Sequence, residues 1–133
     1  MKALIAESNS ETVDDISLVF NMCLPHFKLV ATDSGKQFID MVKDSSLGLV
    51  ILGDLEDMSG LDAIDRIRAY SKVPVMVLSN IDDEPLVIKA FDLGADGYMT
   101  KPFHQLELIA RVKAILRRRL KENALLDVRG RRS

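Results

Sequence analysis

Three stretches of the chain are apolar almost without interruption: ALIA at 3–6, LVIL at 49–52 and VPVMVL at 73–78. Runs this short, with no polar alternation, are what strands covered on both faces present, so they predict the interior of a parallel sheet. A weaker strand is expected over 27–32 and a short one over Gly97–Thr100. Between the strands, apolar residues recur at helical spacing and predict helices over 13–24, 36–43, 61–70, 84–93 and 105 to about 120. Asn9 or Ser10 is placed to cap the first helix, Ser34 the second, and Gly94 to end the fourth.

The alternation is βαβαβαβαβα, the order of a doubly wound α/β fold. Five parallel strands predict the flavodoxin-like order 2-1-3-4-5, with helices on both faces. Such folds bind ligands at the carboxyl ends of their strands, beside the switch in strand order. The candidate residues are therefore Glu7 and Ser8, Gly53 and Asp54, Ser79 and Asn80, and Thr100 and Lys101. No internal repeat or low-complexity segment interrupts the pattern.

At 133 residues the chain is one domain with room for a core. The single cysteine, Cys23, excludes an internal disulfide and falls on the stripe Ile16, Val19, Phe20, Cys23, which makes it a core thiol. No apolar run approaches the ~20 residues of a membrane helix, so a cytoplasmic protein is expected. The net charge of −2 is unevenly spread: 117–133 holds seven basic and two acidic residues, whereas the rest holds 11 basic and 18 acidic. An acidic body with a basic end suggests two jobs, or a body cut from a longer chain.

The strand ends resemble a response-regulator receiver domain of two-component phosphorelay signalling, over residues 2 to about 120. LGADGYMTKPF at 93–103 carries most of the likeness, supported by PVMVL with Ser79, by MSGL at 58–61 and by the opening MKALI. The resemblance implies an aspartate at the end of the third strand that takes a phosphoryl group from a histidine kinase. It implies acidic residues after the first strand that help to hold Mg²⁺. It further implies that Lys101 pairs with phosphoryl oxygens, that Ser79 is the hydroxyl that follows the phosphate, and that Tyr98 is the switch aromatic. Pro102 stands where the family has a cis peptide.

The acidic half of that set is degraded. Glu7 keeps a carboxylate, but Ser8 replaces the second acid, and a neutral hydroxyl is a poor ligand for Mg²⁺. The family's spacing from Gly35 brings Gly53 to the acceptor's position, and glycine has nothing to phosphorylate. Asp54 lies one residue on, where strand geometry turns its side chain to the opposite face. The expectation is an atypical receiver with no bound metal, and a solvated acidic loop over Asp54, Glu56 and Asp57. The alternative is a bulge at Gly53 that lets Asp54 act as phosphoacceptor, with Glu7 and Asp54 then the candidates for Mg²⁺.

In winged-helix regulators of the OmpR/PhoB type, receivers dimerise through the fourth helix, fifth strand and fifth helix. Glu107, Arg111 and Arg118 match charged positions on that group's fifth helix, with Lys89 and Asp92 on the fourth as their counterparts, so a homodimer is expected there. The receiver is assigned to 1–120, and 121–133 to a basic linker toward a DNA-binding output domain that regulates transcription. Arg117–Arg119 should complement the dipole at the last helix's C-terminal end. No direct contact with nucleic acid is expected, because the body is acidic and shows no recognition motif. A flavodoxin-like FMN protein is a remote alternative: the loop after the first strand lacks the glycine of a phosphate loop, and the chain has no Trp. Neither His26 nor His104 is placed to serve Ser8 or Ser79 as a catalytic base.

Overall fold

The computed structural model describes residues 1–132, with side chains as far as residue 125. Its elements run β1 (Lys2–Ala6), α1 (Ser10–Cys23), β2 (Lys28–Thr32), α2 (Gly35–Met41), β3 (Leu47–Leu52), α3 (Gly60–Ile67), β4 (Val75–Ser79), α4 (Glu84–Leu93), β5 (Gly97–Thr100) and α5 (Gln105–Arg132). The sheet is fully parallel in the order β2-β1-β3-β4-β5, as the alternating pattern predicts.

Side-chain parity divides the core in two. Ala3 and Ile5 of β1, Leu49 and Ile51 of β3, and Met76 and Leu78 of β4 face α1 and α5, where Ile16, Phe20, Leu108 and Val112 cover them. Leu4, Ala6, Val50, Leu52, Val75 and Val77 face the other way, against Phe38, Ile64, Ile67 and Ala90. Strands buried on both faces need no polar residues, which is why their sequences read as unbroken apolar runs. Cys23 packs, half-buried, against the first of these clusters.

Local chemistry sets the helix ends. Asn9 Oδ1 accepts from the Thr12 amide at 3.1 Å, Ser34 Oγ from Gln37 at 3.2 Å, and Ser59 Oγ from Asp62 at 3.1 Å, satisfying donors that the first helical turn leaves free. Gly94 ends α4 with φ 118°, a left-handed turn suited to glycine. A Cβ there would also lie 2.7 Å from Arg68 Nε.

The C-terminal expectation needs correction. α5 does not stop near Leu120 but continues as helix to Arg132, through residues expected as a linker. The side chains of that segment beyond residue 125, and Ser133 entirely, lie outside the described residues. Arg117–Arg119 therefore cannot cap the helix. Arg119 instead donates to both carboxylate oxygens of Asp96, at 3.1 and 3.0 Å, and to the Lys72 carbonyl at 2.7 Å. Arg68 joins the same carboxylate at 3.3 Å, and the Val75 amide reaches it at 2.8 Å. One acid thus ties α3, β4, β5 and α5 together at the amino ends of the strands.

Candidate functional site

At the opposite ends of the strands the sheet extends by one hydrogen bond beyond each formal terminus. Gly53 N–H donates to the Ala6 carbonyl at 2.7 Å, and Lys101 N–H to that of Ser79 at 2.9 Å. Parity then puts Glu7, Gly53 and Lys101 over the α1/α5 face, and Asp54, Ser79 and Tyr98 over the other. An open polar cleft of about 510 Å³ lies here, with Glu7, Ser8, Asp54, Asn80 and Lys101 among its walls.

Glu7 is 2% exposed, and its carboxylate is fully engaged. Oε1 accepts from Lys101 Nζ at 2.5 Å and from the Asp54 amide at 3.1 Å, while Oε2 accepts from the Asn9 amide at 2.9 Å. It occupies the space that a side chain at position 53 would need: a Cβ on Gly53 would overlap Glu7 Oε1 and stand 2.8 Å from its Cδ. The glycine is thus required by close approach.

The solvated acidic loop expected over Asp54, Glu56 and Asp57 is overturned at two of its three positions. Asp54 lies in the cleft, with Oδ2 3.0 Å from Lys101 Nζ. Parity does send its side chain to the face opposite Glu7. Ser79 shares that face, and from the end of the strand the carboxylate also reaches Lys101. Ser79 Oγ donates to Asp54 Oδ1 at 2.7 Å, and Asn80 donates to Oδ2 from both its amide and its side chain, each at 3.0 Å. Asp57 also has a structural task, because both its carboxylate oxygens accept from the Gly35 amide at 3.0 Å at the start of α2. Asn80, a strand-end residue with no role assigned from sequence, supplies two of the four donors around Asp54.

Burial opposes the charge of Asp54, but hydrogen bonds from Ser79, Lys101 and Asn80 outweigh it and hold the carboxyl below its ordinary value. Burial likewise opposes the charge of Lys101, and the two carboxylates overcome it and raise the ammonium. The Asp54 carboxylate and the Lys101 ammonium thus hold their charges against burial, and Lys101 lies between Asp54 and Glu7.

That arrangement does not suit Mg²⁺. Both carboxylates already share the Lys101 ammonium, and Ser8 spends its hydroxyl proton on the Asp54 carbonyl at 2.8 Å. Among the described residues no group of three or more His, Cys, Asp or Glu side chains is placed to hold a metal. A small divalent ion that demands near-octahedral oxygen ligands finds neither enough charge nor enough free oxygens.

The profile of the response regulator receiver domain matches residues 3–113. The chain belongs to this family. Receiver domains are signalling modules of two-component systems, not conventional enzymes. This receiver is 38% identical over 120 residues to the cell cycle transcriptional regulator CtrA of Caulobacter vibrioides, covering 89% of the chain and 51% of that protein. It is 36% identical, with the same coverage, to the cell cycle response regulator CtrA of Brucella ovis. The chain thus spans about half the length of these relatives. Its fold superposes on a two-component response regulator from Clostridium difficile with a TM-score of 0.81 at 24% identity, covering 89% of this chain and 97% of that one.

Within the receiver, Tyr98 is half-buried and its hydroxyl donates to the Ile81 carbonyl at 2.7 Å. The Lys101–Pro102 peptide is cis. Every residue of the expected cleft set (Glu7, Ser8, Gly53, Asp54, Ser79 and Lys101) meets at this one place. The charges of the expected contact face, Lys89, Asp92, Glu107, Arg111 and Arg118, lie on α4 and α5. Glu107 and Arg111 pair with each other along α5 at 3.0 Å, and Arg118 donates to the Asp96 carbonyl at 3.0 Å. Among the described residues no helix is long and apolar enough to cross a membrane.

Proposed function

We propose that this receiver controls an output domain through protein contacts in the cytoplasm, independently of conventional aspartyl phosphorylation. The observation that supports the reading is the poverty of the acid pair after β1: Glu7 is spent on Lys101 and two backbone amides, and Ser8 offers only a hydroxyl, whereas the 3.0 Å contact of Asp54 with Lys101 counts for the second reading. A nucleophilic carboxylate needs an oxygen free to attack and a cation to neutralise the transferred group. Here the donor set does not suit Mg²⁺, because Glu7 is engaged and Ser8 is neutral. Relatives that are transcriptional regulators of about twice the length support a DNA-binding output, with homodimerisation through α4, β5 and α5 as the mode of contact.

A second reading has one observation in its favour. Asp54 stands 3.0 Å from Lys101 and its side chain remains 31% exposed, so a histidine kinase has a carboxylate to address. The acyl phosphate would form as the donor's N–P bond breaks and its ring nitrogen keeps the electron pair. Incubation with acetyl phosphate and Mg²⁺ followed by intact mass separates the two. The unmodified mass is expected; a stoichiometric, base-labile phosphoryl adduct mapping to Asp54 refutes phosphorylation independence.

A further inference from the structure

We propose that Asp54 is a built-in anion: its carboxylate fills the oxyanion subsite formed by Ser79, Asn80 and Lys101, and holds a relay to Tyr98 closed without any covalent signal. The proposal rests on the phosphorylation-independent reading and deepens it. Four donors at 2.7–3.0 Å converge on this one carboxylate, the density of donors that an oxyanion site requires. A side chain of this same chain supplies the anion.

What the anion holds can be followed bond by bond. Ser79 gives its only hydroxyl proton to Asp54 Oδ1, which leaves its oxygen to accept from the Ile81 amide at 3.1 Å. The Ile81 carbonyl in turn accepts the Tyr98 hydroxyl at 2.7 Å. Each donor in this series points toward the carboxylate, and the Ile81 backbone, whose N–H and C=O belong to adjacent peptide groups, passes the order from Ser79 to Tyr98 through its placement. Ser79 is 5% exposed, which leaves its hydroxyl few other acceptors. Ile81 and Tyr98 also line, with Leu61, Leu86 and Ala90, an apolar cavity of about 220 Å³ beside α3 and α4. Opening the relay frees the tyrosine ring and reshapes that surface.

Gly53 makes the device stable. With no Cβ there, Glu7 reaches Lys101 from behind, and the ammonium is held between two carboxylates instead of swinging out.

The test replaces the anion from solution. Tyr70 and Tyr98 are the two tyrosines of the chain, so a Tyr70→Phe background labelled with fluorotyrosine reports on Tyr98 through one fluorine NMR resonance. Asp54→Ala deletes a carboxylate that formate reproduces. The expected result is that Asp54→Ala displaces the Tyr98 resonance, and that sodium formate returns it and raises the melting temperature by about 2 °C or more. Sodium chloride at equal ionic strength does neither, and formate leaves the parent unchanged. Asp54→Asn keeps the volume and covers the case in which Asp54→Ala fails to fold: its Oδ1 still accepts from Ser79, but the charge is gone and its amide turns donors toward Asn80 and Lys101, so a relay held by the anion shifts the resonance here too, by less than in Asp54→Ala. Ser79→Ala breaks the next link and should move it similarly. A resonance unmoved by these substitutions, or formate and chloride acting alike, overturns the relay. Neither outcome touches the functional reading, which falls separately on a phosphoryl adduct in the parent protein.

Discussion

Gly53→Ala tests whether Glu7 has taken the place of a side chain at position 53. The new Cβ overlaps Glu7 Oε1, the end of a flexible side chain that is nonetheless buried and held by three donors. To make room the carboxylate must leave the Asn9 and Asp54 amides, while the longer Lys101 can follow it. Hydrogen bonds to charged groups contribute about 1.5–3 kcal/mol each, so the loss is about 3 kcal/mol at the lower end. Gly53 does not have a positive φ, so alanine also restricts the unfolded chain and returns about 0.4–1 kcal/mol. The net expectation is a destabilisation of about 2–3 kcal/mol. Urea unfolding followed by circular dichroism measures it in the parent and in a Glu7→Ala background. Without the glutamate the alanine should be neutral or slightly stabilising, giving a coupling energy of about 2–3 kcal/mol. The 3.1 Å approach of the new Cβ to the Ala6 carbonyl persists in both backgrounds and cancels. Costs that add to within about 0.5 kcal/mol would refute the displacement argument.

Lys101→Met leaves the buried Glu7 carboxylate beside Asp54 with no cation, and should cost about 3 kcal/mol; adding Glu7→Gln should recover most of it in the same urea assay. The lowered Asp54 carboxyl stabilises the fold fully above the unfolded value, and that contribution is lost as pH falls through the lower folded one. The stability difference between the parent and Asp54→Asn should therefore be constant above about pH 5 and shrink below about pH 4, and growth toward acid contradicts the shift. Asp96→Asn gives up pairing with Arg68 and Arg119, and a loss of about 2 kcal/mol with faster amide exchange along α5 is expected. Unchanged exchange would show that packing alone holds that helix.

The parallel sheet, its strand order and most helix caps were legible along the chain because each depends on local pattern. Leu49–Leu52 is apolar since both faces are covered, and Asn9, Ser34 and Gly94 act on donors, acceptors or dihedrals within a few residues of themselves. The membership of the cleft was legible for a related reason: topology alone delivers Glu7, Gly53, Ser79 and Lys101 to one sheet edge.

The direction taken by Asp54 was not legible. Parity assigns its face correctly, but whether a carboxylate at the end of a strand meets water or an ammonium depends on groups 25 and 47 positions away, Ser79 and Lys101. The same holds for Glu7 filling the space beside Gly53, for Asp57 holding the start of α2, and for Asp96 gathering two arginines. The sequence by itself determined the scaffold, because hydrophobic burial follows the periodicity of the chain. Only the tertiary structure decided the ionic connections, because a charge chooses among partners by distance in space, and one-dimensional order does not encode that distance.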